Sequence, residues 1–168
     1  MTYFVMGTGS RSMVTHPDAK EIYGILRDKI LELHAAHPDL VLITGMAEGW
    51  DEAIATIGMR ESIPYHVYLP NPGYGDYYWG RNSQLKRNRM EKFSELVDFA
   101  TEVIVVCDSV YVNGVHSNFL RNDAMVNICD EALVYDTGSS GTKQAVGSLK
   151  IKCIPRQTFP FDTLPSVV

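Results

Sequence analysis

Residues Arg121–Thr142, RNDAMVNICDEALVYDTGSSGT, decide how the rest of the chain is read. They run from the end of a helix into a short apolar strand, Glu131 to Tyr135. A loop of Gly138, Ser139, Ser140, Gly141 and Thr142 follows and opens another helix. A loop of that kind suits phosphate: its glycines let the backbone approach an anion, its hydroxyls add donors, and the first N–H groups of the helix point outward with the helix dipole behind them. An ordinary Gly/Ser turn between a strand and a helix has the same composition, so the loop has to be weighed with its neighbours.

Outward from this stretch, short apolar runs alternate with helical patterns. Tyr3–Met6, Leu40–Thr44, Tyr65–Leu69, Val103–Cys107, Glu131–Tyr135 and Ile151–Ile154 read as strands. Between them, helices are expected from Pro17 to Pro38, after Gly49 with Ala53, Ile54 and Ile57 on one face, from Asn82 to Phe99, near Asn118 to Cys129 and near Lys143 to Leu149. Strands that are apolar throughout belong to a parallel sheet covered on both faces. The expected fold is therefore α/β: a doubly wound, mainly parallel, Rossmann-like sheet in a single domain spanning residues 1–168. The usual order of such a sheet sets the first and fourth strands side by side, flanked by the second and fifth. The loops GTGSR (Gly7–Arg11), GMAEG (Gly45–Gly49), Asp108–His116 and GSSGT (Gly138–Thr142) would then share one edge.

With 168 residues, 45% hydrophobic and 21% charged, the composition is that of a globular protein. A net charge of −5 argues against a general affinity for nucleic acid or an anionic membrane. The start of the chain lacks a basic region followed by a long apolar run, and no apolar segment approaches the roughly 18 residues that span a bilayer, so a cytoplasmic location is expected. Cys107, Cys129 and Cys153 are odd in number and stand outside any metal-ligand spacing. No metal site is expected.

Gly7 and Gly9 form a G-x-G, but Ser12 stands where the third glycine of a dinucleotide site belongs, and the second strand ends in Thr44 and Gly45 rather than in a ribose-binding carboxylate. No G-x-x-x-x-G-K-[ST] occurs, and no cofactor is expected. What remains is three glycine loops at strand ends together with Arg11 and Arg121, whose guanidinium groups can fork onto phosphate or simply pair on the surface. The loop Asn71–Gly80 presents Tyr74, Tyr77, Tyr78 and Trp79 as a lid on a nucleobase, a dimer contact, or a loop packed on its own core. Arg81, Lys86, Arg87 and Arg89 follow as a basic face, either solvated or attractive to a polyphosphate or a nucleic-acid strand.

GTGSR after the first strand, TGMAEGWDEAIA after the second, and RNDAMV leading to YDTGSSGT resemble the SLOG superfamily, a Rossmann-like group that includes the lonely-guy phosphoribohydrolases and the DNA-processing protein A family. Gly138, Gly141 and Thr142 match the P-G-G-x-G-T-x-x-E motif of the lonely-guy enzymes; Thr137 and Ser139 replace its proline and second glycine, and Ala145 stands at its catalytic glutamate. Gly45, Ala47, Gly49 and Asp51 match the S-G-x-A-x-G-x-D loop of the DNA-processing relatives. The resemblance implies that Arg121 meets phosphate, and that the ligand, a small phosphorylated nucleotide or nucleotide-derived metabolite, lies on Gly7, Gly9, Ser10, Arg11, Gly45, Gly49 and Gly138 to Thr142. A second expectation is a nucleoside 5′-monophosphate N-glycosidase, with Glu48 or Asp51 supplying the carboxylate absent at Ala145. A third is single-stranded DNA binding. The resemblance also implies a homodimer or higher homo-oligomer, for which the apolar face of Asn82–Phe99 with the aromatic loop before it is the candidate surface.

Overall fold

The computed structural model describes residues 1–161. Along the chain the strands are β1 (Tyr3–Gly9), β2 (Leu40–Thr44), β3 (Tyr65–Leu69), β4 (Glu102–Val105), β5 (Tyr111–Val112), β6 (Val115–His116), β7 (Glu131–Tyr135) and β8 (Arg156–Thr158). The helices are α1 (Ala19–Ala36), α2 (Trp50–Arg60), α3 (Met90–Phe99), α4 (Ser117–Ile128) and α5 (Ser140–Ile151). Six strands form one parallel sheet in the order β4-β3-β2-β1-β7-β8, while β5 and β6 pair antiparallel as a separate hairpin.

Successive strand residues face opposite sides, and both sides are covered. Val5, Leu42, Val67 and Leu133 pack under α1, α2 and α3; Met6, Ile43, Tyr68, Ala132 and Val134 pack under α4 and α5. That is why the central strands read as unbroken apolar runs. The fold is a doubly wound, Rossmann-like α/β fold.

Its strand order differs from the usual one. The expected fourth strand lies outside β3 at the sheet edge, and β7 takes the place beside β1, in register from Val5 opposite Glu131 to Gly9 opposite Tyr135. The chain steps outward from β1 to β4 on one side and then crosses through α4 to the other. Hydrophobic runs specify burial but carry no information on which neighbour a strand selects. As an edge strand β4 leaves Val103 and Val105 exposed.

Two boundaries also shift. Helix α5 continues through Ile151, where a sixth strand was expected, and the last strand, Arg156–Thr158, is a polar edge segment without the apolar signature of a buried strand. The expected helix from Asn82 begins only at Met90, because the segment before it is held by tertiary bonds to Glu48. On α3, Phe93 and Leu96 are buried in the core while Phe99 is exposed, so most of the apolar face read from the sequence as a dimer surface is turned inward. Phe159 and Phe161 lie against the Trp50 ring rather than on an open surface; the rest of that tail lies outside the described residues. Among the described residues no helix is long and apolar enough to cross a membrane.

Candidate functional site

At the carboxyl ends of β1 and β7, where the chain direction across the sheet reverses, lies a cavity of about 740 Å³. Such a reversal point opens a crevice in α/β sheets, and the volume suits a nucleotide-sized ligand. All four expected loops reach it despite the different strand order: Thr8, Gly9 and Arg11 from the first, Ala47 and the adjoining Asp51 from the second, Gly114 and His116 from the third, and Ser139 to Thr142 from the fourth. The third loop does so because it carries the β5–β6 hairpin back from the edge strand. Asn113 and Gly114, both at positive φ, make its tight turn.

The GSSGT loop is open at the start of α5. Lys143 N–H is bonded to the carbonyl of Ser139, so the N–H groups of Ser140, Gly141 and Thr142 precede the first intrahelical bond. Ser139 sits at the N-cap without capping the helix: its hydroxyl pairs instead with Thr142 Oγ1 at 2.9 Å. These donors therefore face the cavity with the positive end of the helix dipole. Gly138 stands outside the cavity lining; at φ 92° it makes the turn, and its N–H is taken by Asp136 at 2.8 Å.

The GMAEG loop is used differently. Glu48 is 1% exposed and does not line the cavity. Its carboxylate accepts bonds from Ser83 Oγ at 2.7 Å, Gln84 N–H at 2.7 Å and Arg89 Nη1 at 2.6 Å, while Arg89 Nη2 reaches Glu52 at 2.5 Å. A carboxylate so occupied is a structural anchor, and the expectation of Glu48 as a catalytic carboxylate is corrected on that ground. Gly49 has φ 87°, and a side chain there would strike the backbone of Ser10 and Arg11, so it serves the packing of two loops. Gly45 gives room to the Arg121 guanidinium, and Gly7 and Gly9 let Ile54 and Trp50 of α2 lie against β1. Ser10 is buried and accepts the N–H of Ser12 as the cap of a short 3-10 turn. Of Gly7, Gly9, Ser10, Gly45 and Gly49, only Gly9 lines the cavity.

Arg121 is buried and lines the cavity wall, but much of its capacity is spent inside the protein. Nη1 bonds to the carbonyls of Gly45 and Tyr68, and Nε to Asn122 Oδ1 at 2.9 Å. It braces the GMAEG loop against α4, which leaves at most its Nη2 donors for a ligand. Arg11, exposed at the rim, lies over the Tyr78 ring at 5.2 Å.

Asp51 is 6% exposed and is the only carboxylate among the residues lining the cavity. Burial pushes its carboxyl up to about 6, against the pull of Arg121 and of the Ala47 and Gly45 N–H groups. Burial likewise pushes Tyr74 to about 12, so its hydroxyl remains protonated at neutral pH. Among the described residues no group of three or more His, Cys, Asp or Glu could hold a metal ion.

Several lining residues carry no motif. Asn122 ties α4 to the phosphate-like loop through Gly141 O and Gln144; Asn118 reaches Tyr78 OH at 3.5 Å; Tyr74 and Phe119 supply apolar wall. His116 accepts the Asn118 N–H at 3.0 Å as the N-cap of α4, a position that the helix start at Ser117 makes legible. Of the four aromatics in the Asn71–Gly80 loop, Tyr74 and Tyr78 face the cavity, while Trp79 is buried with its indole N–H on Met46 O at 2.8 Å.

No family model and no curated protein sequence matches the chain. Solved structures do resemble it. DNA processing protein A from Streptococcus pneumoniae superposes with a TM-score of 0.65 at 14% identity over 99% of this chain, which spans about half, 52%, of that protein. DNA processing protein A from Helicobacter pylori, in a structure addressing its single-stranded DNA binding mode, gives 0.55 at 15% identity, covering 99% of this chain and 66% of that one. A structural-genomics target, TM1055, gives 0.57 at 12% identity over 92% of this chain and 72% of the other. At 12–15% identity the likeness is one of fold, the doubly wound Rossmann-like α/β sheet.

Proposed function

We propose that the cavity binds a small phosphorylated nucleotide or nucleotide-derived metabolite, with phosphate on the uncapped first turn of α5 and against Gly9 and Arg11. The observation that carries this reading is the start of α5: N–H donors and the hydroxyls of Ser139, Ser140 and Thr142 are gathered, without a capping side chain, on the wall of a nucleotide-sized cavity. Gly141→Asp is the test. A carboxylate in the first turn suits the helix dipole, so the fold survives, while the new charge meets the ligand phosphate. Calorimetry with nucleoside 5′-monophosphates is expected to show affinity lowered by about 100-fold or more, roughly 2.7 kcal/mol. Unchanged affinity in the folded variant would discard the reading.

A second reading, binding of single-stranded nucleic acid, is favoured by one feature. A shallow basic annex shares Arg11 and Tyr78 with the main cavity and adds Arg81, Lys86 and Tyr77, with no carboxylate in its lining. Cations beside aromatic rings are the elements of a strand-binding groove, and the Helicobacter pylori neighbour binds single-stranded DNA. Steep loss of oligonucleotide affinity in Arg81→Glu with Lys86→Glu, and little loss for a mononucleotide, would select this reading.

A further inference from the structure

We propose that Asp51 reads the sugar of the ligand: its free carboxylate oxygen accepts a hydrogen bond from a ribose hydroxyl. The inference rests on the nucleotide reading above and gives the neutral part of that ligand a chemical identity.

Among the described residues, two buried side-chain atoms have no hydrogen-bond partner, Asp51 Oδ1 and Asn118 Oδ1. Both are acceptors, and both residues line the same cavity. A buried acceptor left unmet costs on the order of 1–3 kcal/mol, more when it is charged, and the cost disappears when a ligand donates to it. Two such atoms among the residues of one cavity describe a ligand that brings hydrogen-bond donors to it.

Asp51 cannot face the phosphate, which would meet it charge against charge with no proton to offer. It must face the part of the ligand that carries N–H or O–H. Its geometry narrows the choice. Oδ2 is already taken by the Ala47 N–H at 3.4 Å, and Thr44 Oγ1 holds the Asp51 carbonyl at 2.8 Å, which fixes the start of α2 and the carboxylate with it. One free oxygen matches one hydroxyl; the paired N–H donors on the edge of a guanine need both oxygens of a carboxylate. Arg121 and the neighbouring backbone N–H groups ease the charge on Asp51, but Arg121 makes no salt bridge with it among the described residues and Oδ1 itself has no hydrogen-bond partner. Asn118 turns its amide N–H₂ to Tyr78 OH and keeps its oxygen for a second donor, either another hydroxyl or an amino group of the base.

The experiment is calorimetry of the full chain with ribose 5-phosphate and with matched sets of ribonucleoside, 2′-deoxy and 3′-deoxynucleoside 5′-monophosphates, on wild type, Asp51→Asn and Asp51→Ala. Thermal unfolding confirms that each variant is folded. Wild type is expected to lose about tenfold or more in affinity when the hydroxyl that meets Asp51 is removed from the sugar, and both variants are expected to bind the parent and that deoxy form equally. The arm that loses affinity identifies the hydroxyl. Equal wild-type affinity for all three sugars overturns the assignment, as does a sugar preference that survives in both folded variants. A preference for guanine that Asp51→Ala removes, without any response to the sugar, also overturns it and moves Asp51 to the base. If wild type binds none of these probes, the nucleotide reading itself falls and takes the sugar assignment with it.

Discussion

In the loop Gly45–Gly49, after β2, the protein supplies its own ligands: Glu48 gathers Ser83, Gln84 and Arg89, the carbonyl of Met46 takes the Trp79 indole, and Gly49 lets the backbone of Ser10 and Arg11 approach. In the loop Gly138–Thr142, after β7, the same number of glycines, with three hydroxyl side chains where the other loop has none, ends in an uncapped helix on the wall of a cavity. The two loops are separated by a single strand, β1. Their difference lies in what occupies the donors and acceptors, which composition does not record. A glycine loop is a place where backbone can come close to something, and that something is the protein itself in one case and open volume in the other.

The largest effect that tests this contrast is expected from Glu48→Ala. Removing the carboxylate leaves Arg89 to Glu52 alone and Ser83 and Gln84 without an acceptor, and breaking a buried pair from one side costs about 3 kcal/mol. The midpoint of thermal unfolding should fall by about 10 °C, whereas Gly141→Asp in the other loop should hold it nearly constant. A tolerant Glu48→Ala would erase the distinction between the loops.

A smaller effect of opposite sign belongs to Asp51. Its carboxyl lies at about 6 in the fold against an ordinary 3.8, so the ionised form opposes folding at pH 7. That opposition fades as pH falls from about 6 towards 4, below which the group is protonated in both folded and unfolded chains. Asp51→Asn should therefore stabilise the ligand-free protein by up to about 3 kcal/mol at pH 7 and by little near pH 4, read from unfolding curves at both pH values. The same titration should weaken the sugar preference below about pH 6, because a protonated carboxyl accepts less well. The neighbours that share its field are Arg121 from α4, Tyr74 and Arg11, with His116 on the same cavity wall.

The smallest expected effect is a null one. Incubation with nucleoside 5′-monophosphates should leave them intact, because Glu48 is withdrawn from the cavity and Ala145 offers no carboxylate. Chromatography that finds free base, released by wild type and not by Asp51→Asn, would make the protein an N-glycosidase acting through Asp51.

The legibility of the sequence followed the same line. β1, β2, β3 and β7 are visible because two-sided burial demands apolar residues at every position. β8 was missed because an edge strand such as Arg156–Thr158 needs none. The segment 82–89 carries a helical charge pattern that loses to three bonds from Glu48, and bonds between residues some 35 to 41 positions apart leave no periodicity. In the site, Ser139 to Thr142, Arg11 and Asp51 were legible from loop chemistry. Asn118 and Asn122 were not, since each is placed by the fold of another element, and the aromatic loop allowed Tyr74 three readings of which the sequence selects none.

The β5–β6 hairpin is joined to the rest by few hydrogen bonds, one from Ser117 N–H to the carbonyl of Val110 at its root and one from Asn118 N–H to His116 at the start of α4. It springs from the edge strand, takes no part in the main sheet and still walls the cavity. A part attached in this way can lengthen, shorten or be exchanged between related chains without disturbing the registers that hold the fold. The room available to a ligand is then an inheritable setting of one small appendage, free to drift while the architecture beneath it stays still.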